Sequence, residues 1–441
     1  MKRCMLLVLV VVFLFVVSFR ASSYASEIDI LLNKLVEKGV LTDDEARQIR
    51  VETKDTVKKE ISQAKSEALP QWIQTMKLKG DFRLRYQMDR TDQPNETFNY
   101  RHRGRFRFRL GIESRINNKV SVGAGLATGT TTAGQRDAAR STNQTFQDAF
   151  SKKPITLDYA YAQYSPTTWL TITGGKFKNP LWEPTNLLWD TDINPEGGAF
   201  QFNKRVFTDK LEMFANTGVF VIDEGSNDSR DPMMYVVQTG AKYNLLDNVS
   251  LKGAFSYYNF SNVKHRYIDG GSYDSNAPAP NQIAYGNSRE NAGANARLRY
   301  GYTTLTPALE LTVKNPLEPL GVKFFKVQQV TFFGEYVQNP LVARDNTGYI
   351  GGLKFGSNKI EDFGNWQFLY DFAMLGRDSI PDFLPDLDRY EGSTGIRSHN
   401  ASFQFGLGKN TYMQTTYYQS WRETHPRVRE HLVQVDWNMK F

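Results

Sequence analysis

The chain has 441 residues, of which 40% are apolar and 23% charged, with a single cysteine and a formal charge of +7. That composition excludes disorder and collagen-like repeats, and one cysteine excludes a disulfide scaffold. The basic balance does not by itself name a partner; the charges alternate with apolar residues along the chain, so no nucleic-acid partner is expected.

The chain opens with a leader. Lys2 and Arg3 precede a continuous apolar run from Met5 to Val17, and Ser23-Tyr24-Ala25 supplies the small residues a signal peptidase reads, so residues 1–25 are expected to be a signal peptide. The run is too short for a spanning helix. Cys4 stands before the apolar core rather than at the cleavage site, which argues against lipidation and leaves the exported chain without cysteine.

Residues 26–69 read as a periplasmic helical segment. Ile28, Leu31, Leu32, Leu35 and Val36 recur at three and four. Gly39 is expected to stop this helix, and Thr42 with Glu45 to open the next as a capping box. Val57, Ile61, Ala64 and Ala68 then follow a coiled-coil seam. Such a thin seam cannot hold a lone helix in water, so it predicts either self-association or a solvated spacer. Pro70 ends the segment.

From Met76 the period changes to two. Leu78, Phe82, Leu84 and Tyr86 alternate with Lys77, Lys79, Asp81, Arg83 and Arg85. Phe106, Phe108, Leu110 and Ile112 then alternate with Arg103, Arg105, Arg107 and Arg109. The pattern recurs at Val120 to Leu126, Tyr235 to Tyr243, Val249 to Tyr257, Trp366 to Phe372 and Ala401 to Leu407. Short links such as Asn117-Asn118 and Lys409-Asn410 alternate with long polar stretches near 87–101, 129–154, 176–197, 261–291 and 375–396. Short turns at one rim and long loops at the other predict an all-β transmembrane barrel over 70–441, because only a closed sheet satisfies every backbone group in lipid. About 16 antiparallel strands fit; Ala294 to Tyr302 and Leu309 to Val313 could be one strand or two, leaving 14 or 18 open. Val433, Val435, Trp437, Met439 and Phe441 close the chain on alternate positions. Trp437 and Phe441 match the C-terminal signal by which outer-membrane barrels are recognised by the assembly machinery.

Four stretches carry a family resemblance: Leu31 to Ile49, Leu78 to Tyr86, Gly174 to Trp182 and the terminal strand. On these the chain resembles the putative-porin family of Gram-negative bacteria, which joins a short helical segment to a β-barrel. The resemblance implies a channel in the bacterial outer membrane, trimeric as in other sixteen-stranded porins, with outer-membrane lipid and lipopolysaccharide around it. More distantly, the basic ladder resembles that of phosphate-selective porins.

If the apolar face meets lipid, Arg83, Arg85, Arg103, Arg105, Arg107 and Arg109 line the lumen, and Lys77, Lys79, Arg115, Arg297 and Arg299 extend the ladder. Guanidinium groups stay charged at physiological pH, so such a wall favours small anionic over other polar solutes. The competing reading pairs these arginines with carboxylates such as Asp81 and Glu113. The stretch Lys178 to Gly198 follows the fifth strand, where sixteen-stranded porins fold a loop inward. Its Glu183, Asp190, Asp192 and Glu196 would face the arginines and set a transverse field, unless the loop is solvated.

Other chemistry is weakly supported. Asp190-x-Asp192-x-Asn194 begins like a calcium loop, but Pro195 stands where glycine is required, so no metal site is expected. The five histidines show no ligand spacing, and His399 and His425 fall in or near loops, where they are expected to be solvated. No G-x-S-x-G elbow supports an enzyme and no phosphate loop supports powered transport. The expectation is therefore passive diffusion without cofactor or catalysis, against an outer-membrane enzyme or a structural envelope tether as alternatives.

Overall fold

The structure is a computed structural model describing residues 27–53, 70–92, 98–130, 137–205, 210–225, 230–268, 286–290, 296–321, 327–423 and 428–441. The expected signal peptide and the seam from Val57 to Ala68 lie outside the described residues.

Among the described residues the N-terminal unit holds the helices Glu27–Glu37 and 43–53 and a single helical turn at Gln71–Gln74. Gly39 turns the chain between the first two at a φ of 68°, where a side chain would be strained. Thr42 and Glu45 cap the second helix reciprocally. The Thr42 N–H donates to Glu45 Oε2 at 2.8 Å and the Glu45 N–H to Thr42 Oγ1 at 3.3 Å. That backbone hydrogen bond holds the Glu45 carboxyl below its usual range.

The second unit is a sheet of 17 strands. In chain order they are β1 (Lys77–Asp92), β2 (Phe98–Arg115), β3 (Val120–Thr128), β4 (Gln144–Thr145), β5 (Ile155–Thr167), β6 (Leu170–Lys176), β7 (Glu196–Arg205), β8 (Leu211–Val221) and β9 (Met233–Leu246). There follow β10 (Val249–Ser261), β11 (Tyr302–Lys314), β12 (Gln329–Gln338), β13 (Thr347–Gly356), β14 (Trp366–Leu375), β15 (Ile396–Gly408), β16 (Thr411–Arg422) and β17 (Arg429–Lys440). Without the two-residue β4, which sits on β2, each strand pairs antiparallel with its sequence neighbours. β17 then pairs with β1 from Asp81↔Lys440 to Thr91↔Glu430, closing a barrel of sixteen strands. Gly80 and Phe441 complete the seam by exchanging backbone hydrogen bonds of 2.8 and 3.0 Å.

The strand count is settled by β11, a single strand that starts at Tyr302, and residues 296–301 before it belong to a loop. The long connection expected near 87–101 is also shorter. β1 runs on to Asp92 and β2 begins at Phe98, because polar residues there face inward and pair, as Arg103 does with Asp89 at 2.8 Å. Links at 168–169, 247–248 and 409–410 lie at one rim; the long connections leave β3, β6, β10 and β14 at the other.

Inward and outward side chains alternate as strand geometry requires. Arg85 and Arg105 are each 7% exposed, while Tyr86 and Ile112 on the same strands are 49% and 41% exposed on the outer wall. A register shift beside Gly125 turns Tyr159 inward. With Tyr161 it lies over Gly111, Gly123 and Gly125, where any Cβ would collide with their rings.

The inner face is not polar along its whole height. Towards the long-loop rim, Phe220, Val236, Phe260, Tyr302, Val337 and Leu375 point inward and are buried. They pack with Leu187, Leu188 and Trp189 of one loop and Ile380 and Leu384 of another in a single apolar cluster. These side chains alternate with exposed outer ones such as Tyr235 and Val237, so this part of the wall is apolar on both faces. The barrel thereby carries a hydrophobic core inside its own lumen, which burial of the loop residues stabilises by about 2 kcal/mol per large side chain.

Candidate functional site

The loop at 177–195 touches strands from every side of the barrel. Asn194 Nδ2 donates to Asp158 Oδ1 on β5 at 2.8 Å. The backbone N–H and carbonyl of Trp182 bond to the side-chain amide of Gln238 on β9, Tyr258 on β10 donates to Glu183 at 3.0 Å, and Thr185 donates to Glu335 on β12 at 2.8 Å. Only a segment crossing the lumen reaches all of these strands. Gln238 is 1% exposed and fully used: it also accepts from Asn216 and donates to Ser256.

The loop at 376–395 is the second inward segment. Asp388 accepts from Gln434 on β17 at 2.8 Å, and Arg389 lies 2.7 Å from Asp371 on β14. The two loops meet where the Asp190 N–H donates to the Leu384 carbonyl, the Leu387 N–H to Asp190 Oδ2 at 2.9 Å, and Asn186 to Asp386 at 2.9 Å. Arg140 of the 129–154 loop braces this junction, giving Nη1 to the carbonyls of Asp382, Pro385 and Gly392 at 3.1 Å each. Burial and the neighbouring Asp388 push the Asp386 carboxyl up to about 7. Burial and Asp386 raise Asp190 well above the usual range, and burial with Glu335 does the same for Glu183.

The six arginines expected on the wall occupy inward positions of β1 and β2, with Arg83 opposite Arg107 and Arg85 opposite Arg105. Like charges directly opposed need counter-charges. Asp436 on β17 takes Arg85 by both oxygens at 2.7 and 2.8 Å and stands 3.8 Å from Arg83. Asp81 receives Arg107 and Arg109, and Asp89 receives Arg103. Glu113, expected as an arginine partner, is instead bound by Lys79 at 2.6 Å. Arg105 donates to Gln87 at 3.1 Å. Arg297 and Arg299 do not extend the ladder: both are exposed in the loop before β11, where their backbones pair with Glu290 and Ser288.

The four acids of the inward loop separate. Asp192 faces the wall, 3.3 Å from Arg109, and accepts from Thr142. Asp190 shares a gap of about 90 Å³ with Arg83, Arg105 and Arg107, but its oxygens also accept the N–H groups of Asp192 and Leu387. Glu183 turns away to Tyr258 and Asn179, and Glu196 starts β7 in contact with Lys176 at 2.8 Å. Asp190, Asp192 and Asn194 thus face different partners and do not converge. Towards the short-turn rim lies a larger cavity of about 570 Å³, with Lys79, Arg107, Arg109, Lys178 and Lys440 against Asp81, Glu113 and Asp158.

His399 stands near the start of β15, close to the loop that precedes it. It lies on the outer face of β15, its Nδ1 2.8 Å from the Tyr370 hydroxyl and its ring 4.8 Å from Phe372. His102 with Tyr86 and His431 with Tyr417 repeat the arrangement at 2.7 Å. His425 lies outside the described residues. At the chain end, Trp437 faces outward and donates to Thr411 at 3.0 Å, while the Phe441 ring lies 6.4 Å from Phe108.

Asp436, Asp388 and Gln238 are the site residues that sequence reasoning missed. Asp436 was accessible in principle: it stands between Val435 and Trp437 on the inward parity, and closure must place the last strand beside the first. Asp388 and Gln238 act through loop contacts that leave no periodic trace.

Comparison with curated proteins finds no match. Among solved structures, Pseudomonas putida OprB in its high-pH form superposes with a TM-score of 0.51 at 8% identity, covering 84% of this chain and 95% of that one. A Rh. blastica porin variant gives 0.42 at 10% identity, with 83% and 100% covered, and Salmonella typhi OmpF gives 0.45 at 10%, with 83% and 97% covered. The first of these shares the fold. The sequence pattern of a family described as "Putative porin" matches residues 38–102, 95–291 and 314–441. With most of its length matched, and a closed sixteen-strand barrel carrying loops in its lumen, the chain belongs to that family of outer-membrane porins.

Proposed function

We propose that the barrel passes small hydrophilic solutes by passive diffusion and prefers anions, along the gap between the β1–β2 wall and the loop at 177–195. The observation that carries the preference is the cavity on the short-turn side, where five cationic side chains meet three carboxylates. In the narrower gap, arginines on the wall oppose the Asp192 carboxylate on the loop, a transverse field that orients polar solutes. Several cationic sites in sequence let an anion exchange part of its hydration shell for donors without being trapped. No energy source or covalent step enters this reading.

Three copies in the membrane, as in porins generally, with outward rings against outer-membrane lipid and lipopolysaccharide, complete the proposal. Trp437 and Phe441 would present the terminal strand to the assembly machinery.

The test is ion selectivity of the purified barrel in a planar bilayer under a KCl gradient. Replacing Arg105, Arg107 and Arg109 together by glutamine should move the reversal potential towards cations. An unchanged potential in a conducting variant removes the arginine wall from the explanation.

A further inference from the structure

The inner walls differ in chemistry around the barrel. On β1, β2 and β17 they carry arginine and aspartate; on β14–β16 they carry amides and hydroxyls. The register places Gln367 beside Gln404, Gln404 beside Gln414, and Ser402 beside Thr416, all facing inward. These line a cavity of about 350 Å³ below the inward loop. Two carboxylates touch it, and both are engaged. Asp371 is met by Arg389 at 2.7 Å and Asn400 at 3.0 Å, and Glu183 accepts from Tyr258 and Asn179.

A wall without net free charge gives an ion no return for the water it sheds. A hydroxyl group, by contrast, both donates and accepts, as the amides and hydroxyls of this wall do. Asn400 lines the same cavity, 7% exposed, with its Nδ2 spent on Asp371. Tyr418 and Phe333 supply apolar surface at the same cavity. At about 30 Å³ per water, the space holds roughly a dozen waters, which leaves room for one six-membered sugar ring together with several waters.

We propose that the inner wall of β14–β16 is a docking site for a neutral polyhydroxylated solute of pyranose size, held by Ser402, Gln404, Gln414 and Thr416. The inference rests on the porin reading for its meaning, since it names a solute class for one side of the lumen, but its test does not depend on current. D-glucose titrated into the detergent-solubilised full chain, followed by saturation-transfer NMR, should bind saturably in the millimolar range. Gln404→Leu with Gln414→Leu, and separately the near-isosteric Ser402→Ala with Thr416→Val, should each weaken that binding about tenfold. Retained KCl conductance shows that the variants fold. No saturable binding to the parent chain, or equal affinity in both variants, overturns the proposal. A barrel that binds glucose in this way but passes no KCl current keeps the site and overturns the porin reading.

Discussion

Gln238 grips the backbone of Trp182 from both sides. Its Oε1 accepts the Trp182 N–H at 2.9 Å and its Nε2 donates to the Trp182 carbonyl at 2.8 Å. One side chain on the barrel wall thus substitutes for a strand neighbour, satisfying a loop that no sheet reaches. Gln238→Leu leaves both backbone groups of Trp182 without these bonds, at about 1–3 kcal/mol each. The inward loop should loosen, and single-channel recording should show open-channel noise and conductance both higher than in the parent.

Asp436 and Arg85 tie the last strand to the first inside the lumen. Removing the carboxylate leaves a buried guanidinium with Asp388 at 3.9 Å as its nearest remaining acid. Asp436→Ala should destabilise the barrel by about 3–5 kcal/mol. Heat-modifiable mobility on SDS gels should therefore convert to the unfolded form at lower temperature, whereas Arg85→Met with Asp436→Leu should restore much of the loss.

Asp192 offsets Arg109 across the gap. Asp192→Asn removes one negative charge from the loop while keeping its size, so the anion-to-cation permeability ratio should rise. Reversal potentials in asymmetric KCl would show this, and the difference should shrink at high salt, where screening shortens the reach of the charge across the gap.

The junction of the two inward loops should weaken as pH rises. Asp190 and Asp386 have raised carboxyl pKa values, Asp386 about 7, so their protonated forms suit the folded junction. Their contribution is complete below the ordinary carboxyl range near 4 and is lost as pH climbs through about 7. Hydrogen exchange of residues 184–192 should accelerate over that interval. Asp386→Asn, which cannot ionise, should flatten the response.

Neighbouring positions on β15 separate the two faces of the wall. Phe403 is 45% exposed on the outer face, while Gln404 points to the lumen. Phe403→Arg should cost about 2–4 kcal/mol in refolding into lipid vesicles, and Gln404→Arg much less.

Much of this was legible in the residues. Alternation from Leu78 to Tyr86 and from Phe106 to Ile112 determined strands, their faces and the arginine wall, because a strand's period of two is local and a bilayer rewards one apolar face. Thr42 and Glu45 determined a helix cap for the same reason, acting over three residues. What only the tertiary structure decided are contacts made by closure and by loops. Asp436 meets Arg85 because the sheet closes on itself, and Gln238 meets Trp182 because a loop turns inward. The apolar inner face near the long-loop rim, with Val236 and Val337, reads in sequence as noise in the alternation. Its cause is a core formed by segments far apart in the chain, which no local period can encode.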